Sequence, residues 1–470
     1  MNSKLFQDFP IRVAIFLYGL SFAFTVPIYR NYFWDDWVIY ANQSPAELSV
    51  TFRNMGSPPW RYFIEVTVLQ SSPLLFRVVS FFLFFIVSIL LYRILRATPG
   101  IGAQTASVIS LLFLLFPVNS ARIAMIDFAY STSYFLFFLA WYLLSVKRKN
   151  HFIPFSIILF FLSFTAQSTL VFIMIPILHF AFLEFYPTKR LSRNTIIVLI
   201  LLIGSPIAYL AGRAVFWSAN NHYDSYYTPQ LQGTVRGFVI LILFSILFIK
   251  TTWTYLVSKK TITNQTVLVS TGLLSIGVAA FPYQTGGLLT GVSEWLISFV
   301  PNHSDWDSRH QLLLPLGLAL IIGGSLKIDS TRPLRWNSSP ALSTIIAFCL
   351  LLNITFAQEY FLDGKKQDSI MAAMANNEDL KNASAILVDD SAVRFNARGR
   401  LIRSYEWEGM LQKVFGDDSR QVSYLQYVNC AEFQPDAILR ISAPNGRLES
   451  TLRGNVAIDI TVEQINPCGN

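Results

Sequence analysis

The sequence predicts an all-α polytopic membrane protein that carries a small C-terminal extracytoplasmic α/β domain. Three observations predict this class. Of 470 residues, 53% are hydrophobic and 14% charged, against roughly 25% charged in an ordinary soluble domain. Apolar runs such as Phe81 to Leu91 and Ile196 to Ile203 recur with charges only between them, and a bilayer crossing needs about 20 such residues. After about Gln358 the composition changes, and short β-rich runs alternate with helix-like segments rich in Asp, Glu, Lys and Arg. Two domains follow: 1–358 in the membrane, with a first outer loop at 30–72, and 359–470 in water.

The first apolar run, Ile11 to Tyr29, is too long for a signal-peptide core and lacks a small-residue cleavage site, so it reads as a retained helix. With Lys4 and Arg12 on a cytoplasmic N-terminus, spans are expected near 11–29, 73–97, 103–120, 128–146, 152–166, 168–187, 195–216, 235–257, 263–283, 310–326 and 338–358, about eleven transmembrane helices at this length. The stretch from Phe152 to Tyr186 is nearly uncharged and too long for one crossing, so it is expected to fold back at Thr165–Thr169, which places Gln167 and Ser168 at the outer surface.

The net charge of +8 does not point to nucleic acid. Its cations cluster between apolar runs, at Arg93 and Arg96, Lys147 to Lys149, Lys189 to Arg193, Lys259 and Lys260, and Lys327 to Arg335, as the positive-inside rule places cytoplasmic loops. Every lysine of the membrane region then lies inside. The outer loops and span ends carry only arginines: Arg30, Arg53, Arg61, Arg77, Arg122, Arg213, Arg236 and Arg309. A guanidinium fork suits bidentate phosphate binding; each arginine also fits as an interfacial side chain that extends its charge to water.

Within the first outer loop, Phe33-Trp34-Asp35-Asp36-Trp37 sets two adjacent carboxylates in an aromatic belt. Charge this near hydrocarbon is expensive, although tryptophans that anchor an interface, with Asp35 capping a short helix and Asp36 in water, would account for it structurally. Farther on, Ser44-Pro45-Ala46-Glu47 combines an N-cap serine, a first-turn proline and a third-position glutamate, a capping box that starts an amphipathic surface helix. Gly56-Ser57-Pro58-Pro59-Trp60 stops it before Arg61.

In the tail, strands are expected near 385–389, 436–440 and 455–463, and helices near 367–381 and 401–415. An odd number of crossings puts this domain outside the cytoplasm, where Cys430 and Cys468 would be free to pair or to remain reduced. Cys349 reads as an inert residue within a span.

The aspartate-bearing first outer loop, the span count, the short basic cytoplasmic loops and the extracytoplasmic tail together resemble the GT-C superfamily of polyprenyl-phosphate-sugar-dependent glycosyltransferases. The Phe33–Trp37 run is most similar to the bacterial branch that adds glucosyl-type residues to O-antigen and other surface polysaccharides. A second element, Arg309-His310 through Pro315, resembles the Arg-aromatic pattern with which many members open a late span, with His310 in place of the usual tyrosine. The architecture covers the whole chain; the motif match is confined to these two elements.

The resemblance implies inverting transfer of a sugar from a polyprenyl-phosphate donor, delivered within the bilayer, to a hydroxyl of a glycan or lipid-linked oligosaccharide acceptor, without a nucleotide site or cofactor. Such transfer needs a base at the acceptor and positive charge at the leaving phosphate. Asp35 is the expected base, with Asp36 orienting it or the acceptor, or the two in reversed roles. Arg309 is the expected phosphate ligand, followed by Arg61 and Arg122. Trp34, Trp37, Asp127, Gln167, Glu294, Trp295 and His310 are candidates for acceptor or sugar contact, and Asp127 alternatively pairs with Arg122. His303, Asp305 and Asp307 have metal-ligand types, so a divalent metal stays open as the less favoured alternative to a solvated acidic loop, since the family mostly does without one. The implied place is the bacterial cytoplasmic membrane; Asn302-His303-Ser304 would otherwise offer a glycosylation acceptor where the site is wanted. Competing readings are a lipid-linked-sugar flippase or transporter, a polysaccharide polymerase or ligase, and a catalytically silent scaffold.

Overall fold

The computed structural model describes residues 9–41, 44–61, 73–117, 120–217, 231–257, 264–285, 313–326, 340–416, 419–427, 433–442 and 459–463. Its helices in chain order are α1 (Ile11–Ser21), α2 (Asp36–Ala41), α3 (Pro45–Asn54), α4 (Pro73–Ala97), α5 (Ala103–Leu115), α6 (Phe128–Tyr142), α7 (Phe152–Ser163), α8 (Ser168–Phe172), α9 (Met174–Thr188), α10 (Arg193–Phe216), α11 (Leu231–Val257), α12 (Asn264–Thr285), α13 (Leu314–Ser325) and α14 (Pro340–Ala375). The tail adds α15 (Glu378–Asn382), β1 (Ala385–Asp390), α16 (Ser404–Phe415), β2 (Gln421–Tyr424), β3 (Ala437–Ser442) and β4 (Asp459–Glu463).

The chain is a polytopic helical membrane protein, with fewer full-length spans than expected. Among the described residues, 7 helices are long and apolar enough to cross a bilayer. The other four expected spans are shorter apolar helices: α1, α5, α7 and α13. Local chemistry explains three of these. Beyond Ser21 the chain tightens into a 3₁₀ turn, Ala23–Ile28, that contains Pro27, which has no N–H to continue an α-helix. Helix α5 stops at Phe116, held extended before Pro117. Helix α7 stops at the polar break, where the Thr165 hydroxyl donates to the Leu162 carbonyl (2.9 Å) and the Thr169 hydroxyl to that of Ser163 (3.0 Å). The expected fold-back at 165–169 is present, since α9 returns to bring Glu184 within 3.8 Å of Arg148, just before α7, and Ser168 in the turn is buried.

Small residues set a close helix crossing. A Cβ on Gly272 of α12 would lie 2.7 Å from the Gly317 carbonyl oxygen of α13, so glycine at both positions lets the backbones touch, as in tightly packed membrane helices. Helices α10 and α11 expose Ile200, Ile207, Leu243 and Ile246, the lipid-facing side of the bundle. Helix α14 is continuous over 36 residues, about 54 Å at 1.5 Å per residue. The expected division at 358/359 falls inside it, and the helix expected at 367–381 is its last part followed by α15, which Asn377 starts by accepting the Leu380 N–H (2.9 Å).

The tail sheet has strand order β2-β1-β3-β4. Strand β1 pairs parallel with β2 and with β3, Leu387 lying between Ser423 and Ile438, and β4 closes the edge antiparallel to β3. Ile386, Leu387 and Val388 are all buried, as expected of a central parallel strand covered on both faces. Strand β2 has no counterpart in the sequence-based expectation. Lys366 of α14 binds this sheet: its Nζ lies 2.6 Å from Asp390 and donates to the Ala392 carbonyl and the Asn396 side chain, with both ion-pair partners fully buried.

The tail packs on the first loop. Trp37 is part of its core, among Ile370, Met374, Trp407 and Met410, and a Cβ on Gly409 would lie 2.7 Å from that indole. First loop and tail therefore share one end of the bundle.

Candidate functional site

The site begins with how the first loop is held. Arg77, near the start of α4, donates to the carbonyls of Ile28, Tyr29, Asn31 and Ile123. One guanidinium thus ties the end of the Ala23–Ile28 turn to the loop before α6. Asp36 makes the second tie. Its carboxylate is fully buried and accepts the backbone N–H of Phe33 (3.0 Å) and of Ile126 (2.9 Å). Burial pushes its pKa up to about 6 against the pull of Arg77 and these N–H groups. Asp36 is therefore a structural acceptor inside the loop.

Asp35 is its opposite. It is half-buried, and its Oδ1 accepts the Tyr405 hydroxyl of α16 at 2.7 Å. Its Oδ2 accepts no hydrogen bond from any described residue. Burial, and next the Asp35 carboxylate, push the Tyr405 pKa up, so that the phenol remains a donor. The preceding residue, Trp34, has φ 51°, a left-handed conformation that is an outlier for a bulky side chain. What fixes it comes from the tail: the Trp34 N–H donates to Glu406 Oε2 (3.1 Å), Glu406 takes a two-pronged contact from Arg400 (2.5 and 2.9 Å), and the Arg400 guanidinium lies over the Trp34 ring at 5.2 Å. Arg400 also sits 3.6 Å from Asp363 of α14.

Beside the loop a groove of about 610 Å³ opens along α1, the Ala23–Ile28 turn and α4. Its wall is apolar and membrane-facing, with Val26, Leu74, Val78 and Phe82 exposed. Arg122 lines it and also a smaller pocket bounded by Asn353, Phe356 and Tyr360. The Arg122 guanidinium lies over Phe22 (4.4 Å), Phe84 (5.3 Å) and Tyr18 (5.5 Å) and makes no hydrogen bond or ion pair with a described residue. Tyr360 in turn packs edge-on against Phe33 and Trp34, so one aromatic layer separates the Arg122 pocket from the backbone that carries Asp35.

The other expected site residues fare differently. Trp34 and Trp37, expected to contact sugar, are 7% and 1% exposed; they are packing residues of the loop–tail junction, because their rings are already covered by Arg400, Tyr360 and the tail core. Arg61 lies over Phe52 of the capped helix α3 and donates to the Ser57 hydroxyl (3.2 Å). Asp127 is buried at the N-terminus of α6, where the helix dipole favours a carboxylate; the Arg122 guanidinium rests on rings instead of pairing with it. Gln167 is half-buried at the start of α8. Arg309, His310, Glu294, Trp295, the His303–Asp307 cluster, Cys430 and Cys468 lie outside the described residues. Among the described residues no group of three His, Cys, Asp or Glu side chains is disposed for a metal ion.

Sequence reasoning missed Tyr405, Glu406 and Arg400. Glu406 carried a signal as the third-position glutamate of α16, and its Oε1 does accept the Arg403 N–H (2.9 Å). Nothing local signals its reach to Trp34, 372 residues away. Comparison with protein-family models, with curated proteins and with solved structures finds no match to this chain.

Proposed function

We propose that the protein is a membrane glycosyltransferase of the GT-C kind, moving a sugar from a polyprenyl-phosphate donor to the hydroxyl of a surface-glycan acceptor. The observation that carries this reading is the pairing of a membrane-facing apolar groove lined by Arg122 with a half-buried carboxylate, one oxygen open, on the other side of the Tyr360, Phe33 and Trp34 aromatic layer. An isoprenoid chain needs an apolar trough reached from lipid, and its phosphate needs a cation at the end of that trough. In the reaction the acceptor hydroxyl attacks the anomeric carbon and gives its proton to Asp35 Oδ2. The new C–O bond forms as the bond to phosphate oxygen breaks, and the electron pair leaves with the lipid phosphate, whose growing charge Arg122 offsets. Attack from the face opposite the phosphate inverts the anomeric centre.

The resemblance of Phe33–Trp37 and of the Arg309–Pro315 element to that superfamily supports the same reading, and with it a bacterial cytoplasmic membrane and an extracytoplasmic tail. Asp35→Asn tests it. The substitution is expected to lower transfer from polyprenyl-phosphate hexose by ~10²- to 10⁴-fold and to remove the corresponding sugar from the surface glycan at normal protein level. An unchanged glycan at normal protein level favours the transporter or scaffold instead.

A further inference from the structure

We infer that the tail domain completes the active site, with Tyr405 and Glu406 of α16 acting as positioning residues for the Asp35 carboxylate. The inference rests on Asp35 being the base of the proposed transfer. Its geometry stands on contacts independent of that reading.

A base must keep one lone pair directed at the acceptor. An unanchored aspartate rotates about its side-chain torsions and, with carboxylate oxygens exchanging, presents no fixed direction. Here the Tyr405 hydroxyl engages Oδ1 at 2.7 Å and leaves Oδ2 as the open oxygen. A hydrogen bond to an ionised group is among the stronger ones, and Tyr405 holds its ring in place from a helix whose buried face is the tail core, Trp407, Met410 and Leu411. The backbone under Asp35 is set from the same helix. Trp34 keeps its left-handed conformation with its N–H on Glu406, and Glu406 is fixed by Arg400 and by the Arg403 N–H. Thus two successive residues of α16 act on two successive residues of the loop: Tyr405 on the Asp35 side chain, Glu406 on the Trp34 backbone. Lys413, about two turns farther along α16 than Glu406, lies over the rings of Tyr32 (4.8 Å) and Trp37 (5.6 Å), so the helix grips the loop along its length.

The consequence is that the loop alone does not define the reactive geometry. Displacing α16 would free the carboxylate and release the Trp34 backbone together, so a partner that moves this helix would act on the catalytic group.

The full-length protein with Tyr405→Phe tests this. Loss of the hydroxyl removes one hydrogen bond to a charged group while the ring keeps its packing, so kcat for transfer from polyprenyl-phosphate hexose is expected to fall roughly 10- to 100-fold with KM for the donor unchanged. Asp35→Asn combined with Tyr405→Phe is expected to be no slower than Asp35→Asn alone, because both act on one group. Wild-type rates in Tyr405→Phe, or a loss expressed only in KM, would overturn the inference while leaving the glycosyltransferase reading in place. If the wild-type protein itself transfers no sugar, that reading fails, and the positioning contact is then judged by the thermal midpoints of the same four proteins: additive shifts refute it, and non-additive shifts retain the contact.

Discussion

The groove at the tail end and the cavity at the far end of the bundle both set a polar side chain into an apolar wall, and they treat it differently. In the far cavity, of about 90 Å³ and lined by Leu91, Leu95, Ile175, Phe248 and Leu268, His179 accepts at Nδ1 from the Trp141 indole (3.0 Å) and faces the Ser145 hydroxyl (3.2 Å), while its Nε2 meets the Thr98 hydroxyl (2.8 Å). Trp141 is a pure donor, so Nδ1 carries no hydrogen and Nε2–H points to Thr98. Every hydrogen-bonding position on the imidazole is taken by the chain. At the groove, Arg122 has aromatic rings beneath it and none of its N–H groups bound to a described residue. The same contrast separates the two neighbouring aspartates, Asp36 being filled by backbone N–H groups and Asp35 half open. A buried polar group whose partners all come from its own chain holds the fold; one with bonding capacity left over is placed to meet something else.

The contrast breaks most visibly under paired substitution. Arg122→Gln is expected to cost ~10²- to 10³-fold in transfer rate, as removal of a preorganised charge donor does, at little cost in stability because it strands no hydrogen-bond partner. His179→Phe is expected to do the reverse, leaving the rate intact and lowering stability by about 1–3 kcal/mol through the stranded Trp141 N–H. Parallel measurement of turnover and thermal midpoint in the two variants checks this, and equal effects on both readouts would remove the distinction between the two regions.

Asp36 sharpens it through pH. Its folded pKa of about 6 lies above the unfolded 3.8, so the folded chain holds that proton longer. The stability from this source is complete below 3.8 and is lost as pH rises through about 6, on the order of 3 kcal/mol in all. Asp36→Asn cannot titrate, so its thermal midpoint should lack the decline that the wild type shows between pH 4 and pH 6. The smallest effect is expected at the surface helix. Ser44 accepts the Glu47 N–H (3.1 Å) while Glu47 reaches back to the Ser44 N–H (3.2 Å), and Ser44→Ala should cost about 1 kcal/mol, read as faster amide exchange in α3 with unaltered turnover.

Local rules carried far in this chain. The capping box at Ser44 was legible because its partners lie three residues apart, and the hairpin at 165–169 because a run of apolar residues longer than the bilayer must turn. The tail strands at 385–390 and 437–442 were legible from their β-branched and aliphatic runs. Strand β2, four residues of mixed polarity, was not, since only its neighbour β1 makes it a strand. The shortening of α5 was written in Pro117, but hydropathy alone counts the residues beyond it as part of the span.

Sequence by itself determined that this chain is a many-helix membrane protein, that a small α/β unit follows, and that two acidic residues sit beyond the first apolar run, because hydropathy, turn chemistry and charge placement act between near neighbours. Tertiary structure decided which aspartate keeps an open oxygen, which arginine stands at the head of a groove, and that a tyrosine 370 residues downstream grips the carboxylate. Those outcomes depend on which buried partners the folded chain brings together, and a buried charge can be satisfied from any point along the sequence.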